Sequence, residues 1–292
     1  MNTYDIIIIG YGPAGASAAI YAARANKKVL MVAKDGGALS KADKVDNYYG
    51  FAATVSGREL IDNGLAQAVR QGVVALTAEA LGIKINYEND IAKGFLVETD
   101  GGSYGARAVI LATGASRHTP KIKGIDKYEG KGVSYCAICD AFFFRGKDVA
   151  VLGNGPYALH EVNDLLQVVG SVAVLTNGGE INATFPDEVK IIAKKISNLS
   201  GEGMLGAVQF DDGDVLHVNG LFVAEGVAGS VELARKIGAF VKDGNVVVGE
   251  GQTTDIPGLY AAGDCTGGMK QIAKAVYEGA LAGTEAAKYV GK

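Results

Sequence analysis

The sequence predicts an α/β protein made of two Rossmann-like, three-layer nucleotide-binding folds. Three observations carry that expectation. An apolar strand run feeds a glycine-rich turn at Gly10-Tyr11-Gly12-Pro13-Ala14-Gly15, a second strand feeds a similar turn at Gly153-Asn154-Gly155-Pro156-Tyr157-Ala158, and 292 residues suffice for two ordinary domains. The 42 glycines and 48% hydrophobic residues describe a globular chain rich in tight turns and close backbone approaches.

Ile6-Ile7-Ile8-Ile9 offers no polar position, as a strand buried on both faces of a parallel sheet requires. In the turn that follows, Gly10 permits the bend, Gly12 lets a pyrophosphate approach the backbone, and Gly15 lets helix and strand pack closely. Residues 16–25 read as a small-residue helix and residues 28–32 as the second strand. That strand ends Val32-Ala33-Lys34, with Asp35 one step beyond, so the acid expected on a ribose is displaced and the turn alone does not choose the nucleotide. Next come the polar stretch Val45-Asp46-Asn47-Tyr48-Tyr49-Gly50, a helix over residues 57–71, a few β-rich segments, and a buried strand Ala108-Val109-Ile110-Leu111 ending in Ala112-Thr113-Gly114.

A basic, proline-containing connector over residues 117–131 leads to Cys136-Ala137-Ile138-Cys139-Asp140. Two cysteines at this spacing can close a small disulfide ring, and a thiolate at such a corner is the nucleophile of dithiol chemistry. Asp140 would stand by as proton donor or acceptor. The competing reading is half of a zinc site, but a structural zinc wants four ligands, and the other candidates are Cys265 and the scattered His118, His160 and His217. Three cysteines build no disulfide scaffold, which points to a reducing compartment where an isolated C-x-x-C is catalytic. The opening residues show neither a basic leader nor a long apolar run, so the expectation is a cytoplasmic protein without a membrane span. A net charge of -4 argues against nucleic acid as partner.

The second fold opens with Asp148-Val149-Ala150-Val151-Leu152, and its next strand is residues 171–175. After that strand a fold gripping NADPH needs cations and one gripping NADH wants an acid, yet here stand Thr176-Asn177-Gly178-Gly179, with Glu180 the first charge. The expectation is a retained architecture without its ligand-selecting residues, further obstructed by Pro156 and the ring of Tyr157. Toward the end, Gly258-Leu259-Tyr260-Ala261-Ala262-Gly263-Asp264-Cys265 reads as a short strand ending in Gly-Asp, and Lys270-Gln271-Ile272-Ala273 opens a last helix to about residue 290. Cys265 is expected to be a small core residue, and the bland reading of Asp264 is a helix-entry cap.

Six motifs in this order resemble the low-molecular-weight thioredoxin reductases over nearly the whole chain: Gly10 to Gly15 with Tyr21-Ala22-Ala23-Arg24-Ala25, Val45 to Gly50, Ala112-Thr113-Gly114-Ala115-Ser116, Cys136 to Asp140 with Phe142-Phe143, Ala261-Ala262-Gly263-Asp264, and Lys270-Gln271-Ile272-Ala273. The resemblance implies that the second fold is inserted into the first. Residues 1-115 and 224-292 would form a split FAD-binding domain, and residues 116-223 a central domain carrying the cysteines. It further implies that Cys139 faces the flavin as charge-transfer thiol, that Cys136 attacks the partner's disulfide, and that Asp140 is the general acid. Implied FAD contacts at the first turn and beyond are Gly10, Gly12, Pro13, Ala14, Gly15, Lys34, Gly37, Ala38, Leu39 and Asn47. Thr113, Gly114, Gly263, Asp264, Lys270, Gln271 and Ile272 complete that set, with the last helix directing its positive end at the flavin, where it would stabilise the reduced form.

The family moves electrons from NADPH to FAD, to the cysteine pair and to thioredoxin, with a rotation of the central domain between the two half-reactions and a homodimeric assembly. Here the family's basic cluster is replaced by Thr176-Asn177-Gly178-Gly179, and the chain is most similar to the ferredoxin-dependent flavin thioredoxin reductases, which need no pyridine nucleotide. Reduced ferredoxin is then the expected donor, with the lysines at 121, 123, 127 and 131 as a steering patch for an acidic partner. The alternatives are an oxygen-linked dithiol oxidase of the same fold, an NAD(P)H-dependent reductase, and a flavin-bearing redox sensor without turnover.

Overall fold

The computed structural model describes residues 2–88, 91–115 and 120–291. Ser116, Arg117 and His118, named above, lie outside the described residues. The chain divides into two compact units, Met1–Arg117 with Gly229–Lys292, and His118–Ala228.

The first unit starts with β1 (Thr3–Ile9), α1 (Pro13–Arg24) and β2 (Val29–Ala33). β1 runs parallel to β2, and Ile6 to Ile9 are all buried. Each such isoleucine contributes about 1.5–3 kcal/mol by leaving water, so a polar residue anywhere in the run would be costly. α2 (Gly57–Arg70) is capped by Ser56, whose hydroxyl accepts the Glu59 N–H at 3.1 Å. β3 (Val74–Thr77) lies parallel to β2, and β4 (Ala80–Glu88), β5 (Ile91–Thr99) and β6 (Gly102–Leu111) form an antiparallel meander. Along β6, residues 102–106 pair with β5 and residues 105–111 with β1.

The second unit repeats this design. It holds α3 (Ile125–Tyr128), β7 (Val133–Ser134), α4 (Ala137–Asp140), β8 (Asp148–Leu152), α5 (Pro156–Leu166) and β9 (Ser171–Leu175). Then follow β10 (Lys190–Ile192), β11 (Ile196–Ser200), β12 (Ala207–Phe210), β13 (Val215–His217) and β14 (Gly220–Val223). A parallel sheet runs in the order β10-β9-β8-β14-β7, and β11, β12 and β13 make the antiparallel companion. α5 buries Tyr157, Ala158, Glu161, Val162 and Leu165, one helical stripe interrupted by a single acid.

The chain returns to the first unit with α6 (Ser230–Lys236), the hairpin β15 (Val241–Lys242) and β16 (Asn245–Val246), β17 (Leu259–Ala261) and α7 (Ile272–Tyr289). β17 pairs in parallel with the end of β6. α7 lies on α1 with backbones touching: a methyl at Gly279 would stand 2.1 Å from the Ala14 carbonyl oxygen, and one at Gly283 2.3 Å from that of Ala18. The alanine and glycine content of both helices follows from this close approach. Among the described residues no helix is long and apolar enough to cross a membrane.

Candidate functional site

In the second unit the chain turns from β7 into α4 through Cys136, whose backbone is extended. That corner sets Cys136 beside Cys139 as a disulfide, Cα atoms 5.4 Å apart, with the Cys139 N–H directed at Cys136 Sγ at 3.3 Å. Ser134 ties the corner together, for its hydroxyl accepts the Cys136 N–H at 3.1 Å and donates to Asp140 Oδ2 at 2.6 Å. The three residues expected to carry the chemistry therefore form one hydrogen-bonded loop. The two sulfurs differ in access, since Cys136 is 3% exposed and Cys139 stands exposed. Ile138, Phe142 and Phe143 are also exposed, the two phenylalanines at 68% and 69%, an apolar surface of the kind that meets another protein.

The turn between β8 and α5 is tied to the chain that follows β9. Asn154 donates from Nδ2 to the Glu180 carbonyl oxygen at 2.6 Å, and its own carbonyl accepts the Asn182 N–H at 2.7 Å. The segment after β9 is thereby fastened to the second residue of the turn. The sequence placed an obstruction on the ring of Tyr157, and this is corrected: Tyr157 is buried on the inner stripe of α5.

In the first unit the corresponding turn is Gly10 to Gly15. Gly10 has φ +105, and a side chain there would strike the Ala112 carbonyl oxygen at 2.4 Å. A methyl at Gly15 would lie 1.9 Å from the Gly10 oxygen, whereas one at Gly12 would meet nothing within 4 Å. Pro13 opens α1, whose first-turn N–H groups no side chain caps. Thr113 and Gly114 follow β6 beside this turn, with Thr113 Oγ1 accepting the Ser230 N–H at 2.7 Å. Gly263 packs on Ala14, and Asp264 opens a short turn, so these residues all gather at the carboxyl ends of β1, β6 and β17. Asn47 donates to Gln271 Oε1 at 2.9 Å just before Ile272 starts α7, with Lys270 exposed alongside. Gly37, Ala38 and Leu39 occupy a separate turn held by Asp35, which accepts the Gly37 N–H at 2.7 Å. Lys34 is tied to Glu79 at 2.8 Å, and burial pushes the Glu79 carboxyl above its ordinary pKa while Lys34 pulls it down.

Sequence reasoning missed four groups here. Glu79 lies 45 positions from Lys34, and Ser230 lies 117 from Thr113, separations without a local signal. Glu278 accepts the Gly263 N–H at 2.8 Å and the Lys274 ammonium at 2.9 Å, holding the Gly-Asp turn. Only the Lys274–Glu278 pair, four apart on a helix, left a trace in the sequence. Cys265 is buried as expected, and burial pushes its thiol up to about 11.

The "Pyridine nucleotide-disulphide oxidoreductase" family matches residues 4–279. The chain is 33% identical to the thioredoxin reductase of Aquifex aeolicus over 310 residues, covering all of this chain and 93% of that protein. The crystal structure of the atypical thioredoxin reductase TRi from Desulfovibrio vulgaris Hildenborough superimposes with a TM-score of 0.91 at 40% identity, over 98% of each chain. A ferredoxin-flavin thioredoxin reductase from Clostridium acetobutylicum gives 0.71 at 32%, over 99% of this chain and 98% of that one. Thioredoxin reductases of this family are FAD-binding flavoproteins, and the first turn fits that cofactor: the space at Gly12 and the uncapped start of α1 are what a pyrophosphate needs. The chain therefore belongs to the pyridine nucleotide-disulphide oxidoreductase family, among its thioredoxin reductases.

Proposed function

We propose that this chain reduces thioredoxin with electrons from reduced ferredoxin, the split unit holding FAD and the central unit the Cys136–Cys139 pair. The observation that carries the choice of donor is the loop after β9, which reads Thr176-Asn177-Gly178-Gly179 without a cation and is tied by Asn154 to the second turn. That loop itself carries no arginine or lysine for a 2′-phosphate, the contact an NADPH site relies on. The similarity to a ferredoxin-flavin enzyme supports the same donor.

Bound FAD supplies the exchange between single electrons from ferredoxin and the electron pair a disulfide needs. Two electrons and two protons open Cys136–Cys139 to the dithiol. The Cys136 thiolate then attacks thioredoxin's disulfide, and Cys139 displaces the reduced thioredoxin as the pair recloses. In this reading Asp140, hydrogen-bonded by the Ser134 hydroxyl, hands a proton to the departing sulfur. Because Cys136 is buried, its attack requires a change that uncovers it. Ile138, Phe142 and Phe143 offer thioredoxin an apolar landing surface, and the exposed lysines at 121, 123, 127 and 131 favour an acidic ferredoxin. A ferredoxin at about −400 mV driving a thioredoxin at about −270 mV releases roughly 6 kcal/mol per electron pair. A cytoplasmic homodimer completes the reading.

Anaerobic titration of the flavin absorbance tests it. NADPH and NADH are expected to leave the spectrum unchanged, reduced ferredoxin to bleach it, and oxidised thioredoxin to restore it. Bleaching by either nucleotide would transfer the donor role to that nucleotide.

A further inference from the structure

Ala137 sits between the two cysteines and opens α4, so its N–H has no acceptor within the helix. It is fully buried, where an unpaired N–H costs about 1–3 kcal/mol. Its partner is Glu161 Oε2 at 2.7 Å, reached from α5 across 24 positions. That carboxyl is the one acid on the buried stripe of α5 and is 1% exposed. A glutamate among Tyr157, Ala158, Val162 and Leu165 serves the packing of that stripe poorly, and its hydrogen bond lands on the peptide that joins the redox cysteines.

We propose that Glu161 is a positioning residue of the dithiol, fixing the Cys136–Ala137 peptide so that the two sulfurs stay poised to reclose after reduction. The inference rests on the pair cycling between disulfide and dithiol, as the proposed function requires. In the disulfide the covalent bond itself holds the corner. In the dithiol backbone anchors do so, among them Ser134 on the Cys136 N–H, the Asp140 N–H on the Cys136 carbonyl and Glu161 on the Ala137 N–H. An anchored corner keeps each thiol at a high effective concentration toward the other, which favours the disulfide and makes the pair a stronger reductant.

The experiment is a redox titration of the purified holoprotein in dithiothreitol buffers, read by alkylation and mass. In it the Cys136–Cys139 bond breaks, each sulfur takes a proton, and dithiothreitol closes to its cyclic disulfide. Neither ferredoxin nor thioredoxin takes part, so a wrong donor leaves the result intact. Glu161→Leu removes the acceptor and is expected to lower the effective concentration about tenfold, a rise in midpoint of about 30 mV. Glu161→Gln keeps an acceptor oxygen and is expected to titrate like the parent. Ala137→Pro deletes the donor instead, at a helix position that tolerates proline and after a Cys136 already extended, so it reads the same contact should Glu161→Leu fail to fold. It too is expected to raise the midpoint. Unchanged midpoints in the variants that lose the contact would overturn the proposal, as would equal shifts in Glu161→Leu and Glu161→Gln, which would assign the effect to charge. A pair that no dithiol reduces would remove the functional reading and this inference together.

Discussion

The two glycine turns of this protein come from the same strand-turn-helix design and differ in one neighbour. In both, the first glycine is crowded by a backbone oxygen, the second is open, and no side chain caps the helix that follows. At Gly153 to Ala158 the side of Gly155 is equally open, yet Asn154 clasps the chain after β9. The cysteines of the two units differ in the same sense: Cys265 is sealed in the core of the first, while Cys139 is exposed in the second. A fingerprint thus records how strand and helix meet. What binds there is decided by residues further along the chain.

The largest effect is expected from Gly15→Ala, because its methyl would sit 1.9 Å from a backbone oxygen that cannot step aside. It should cost more than about 3 kcal/mol and yield protein without flavin, as thermal unfolding and the absorbance spectrum would reveal. Next comes reactivity. After reduction at pH 8, iodoacetamide should modify Cys139 at least about 100-fold faster than Cys265, whose thiol is held protonated. Mass mapping of a time course reads this directly. The same thiol makes stability fall with pH: the folded form keeps its proton up to about 11 while the unfolded chain releases it from its ordinary value of 9.0, so stability present below pH 9 is lost between 9 and 11, and Cys265→Ala should flatten that decline.

Gly12→Ala and Gly155→Ala make a matched pair at the two open positions. Both should change stability by less than about 1 kcal/mol. Only Gly12→Ala should weaken FAD, by about tenfold, measured by titrating the apoprotein, since a methyl there takes the pyrophosphate's approach. Equal losses of FAD in both would erase the distinction between the turns. The smallest effect belongs to Asn154→Ala, about 1 kcal/mol of stability and no gain of NADPH reduction, because unfastening the segment supplies no cation. Flavin bleaching by NADPH in that variant would show that the clasp alone excludes the nucleotide.

The sequence made the frame readable wherever one residue type repeats under one constraint. Ile6 to Ile9 could only be a buried strand, β9 falls on residues 171–175 as expected, and the C-x-x-C spacing placed the disulfide. The last helix begins at Ile272 rather than Lys270, because Gln271 is extended and serves as its cap position. Illegible were the contacts that fold-level packing creates between distant positions. Asn154 on Glu180, Glu161 on Ala137 and Glu278 on Gly263 are each a side chain serving a backbone group, and any of several polar residues nearby would have read the same in sequence. Tyr157 misled for that reason, since a ring beside a phosphate turn says nothing of which way its helix face is turned.

The backbone seam between α1 and α7 bears on how the protein is made. Residues 13–24 and 272–289 must meet before the first helix can bury its alanines, and β6 waits for β17 at residues 259–261. During synthesis the first βαβ segment therefore stays without its main helical partner until nearly the whole chain has emerged. The second unit, continuous from 118 to 228, has every one of its strands in hand long before then. Maturation accordingly runs inward to outward, the dithiol unit taking shape while the cofactor unit is still waiting for its last helix.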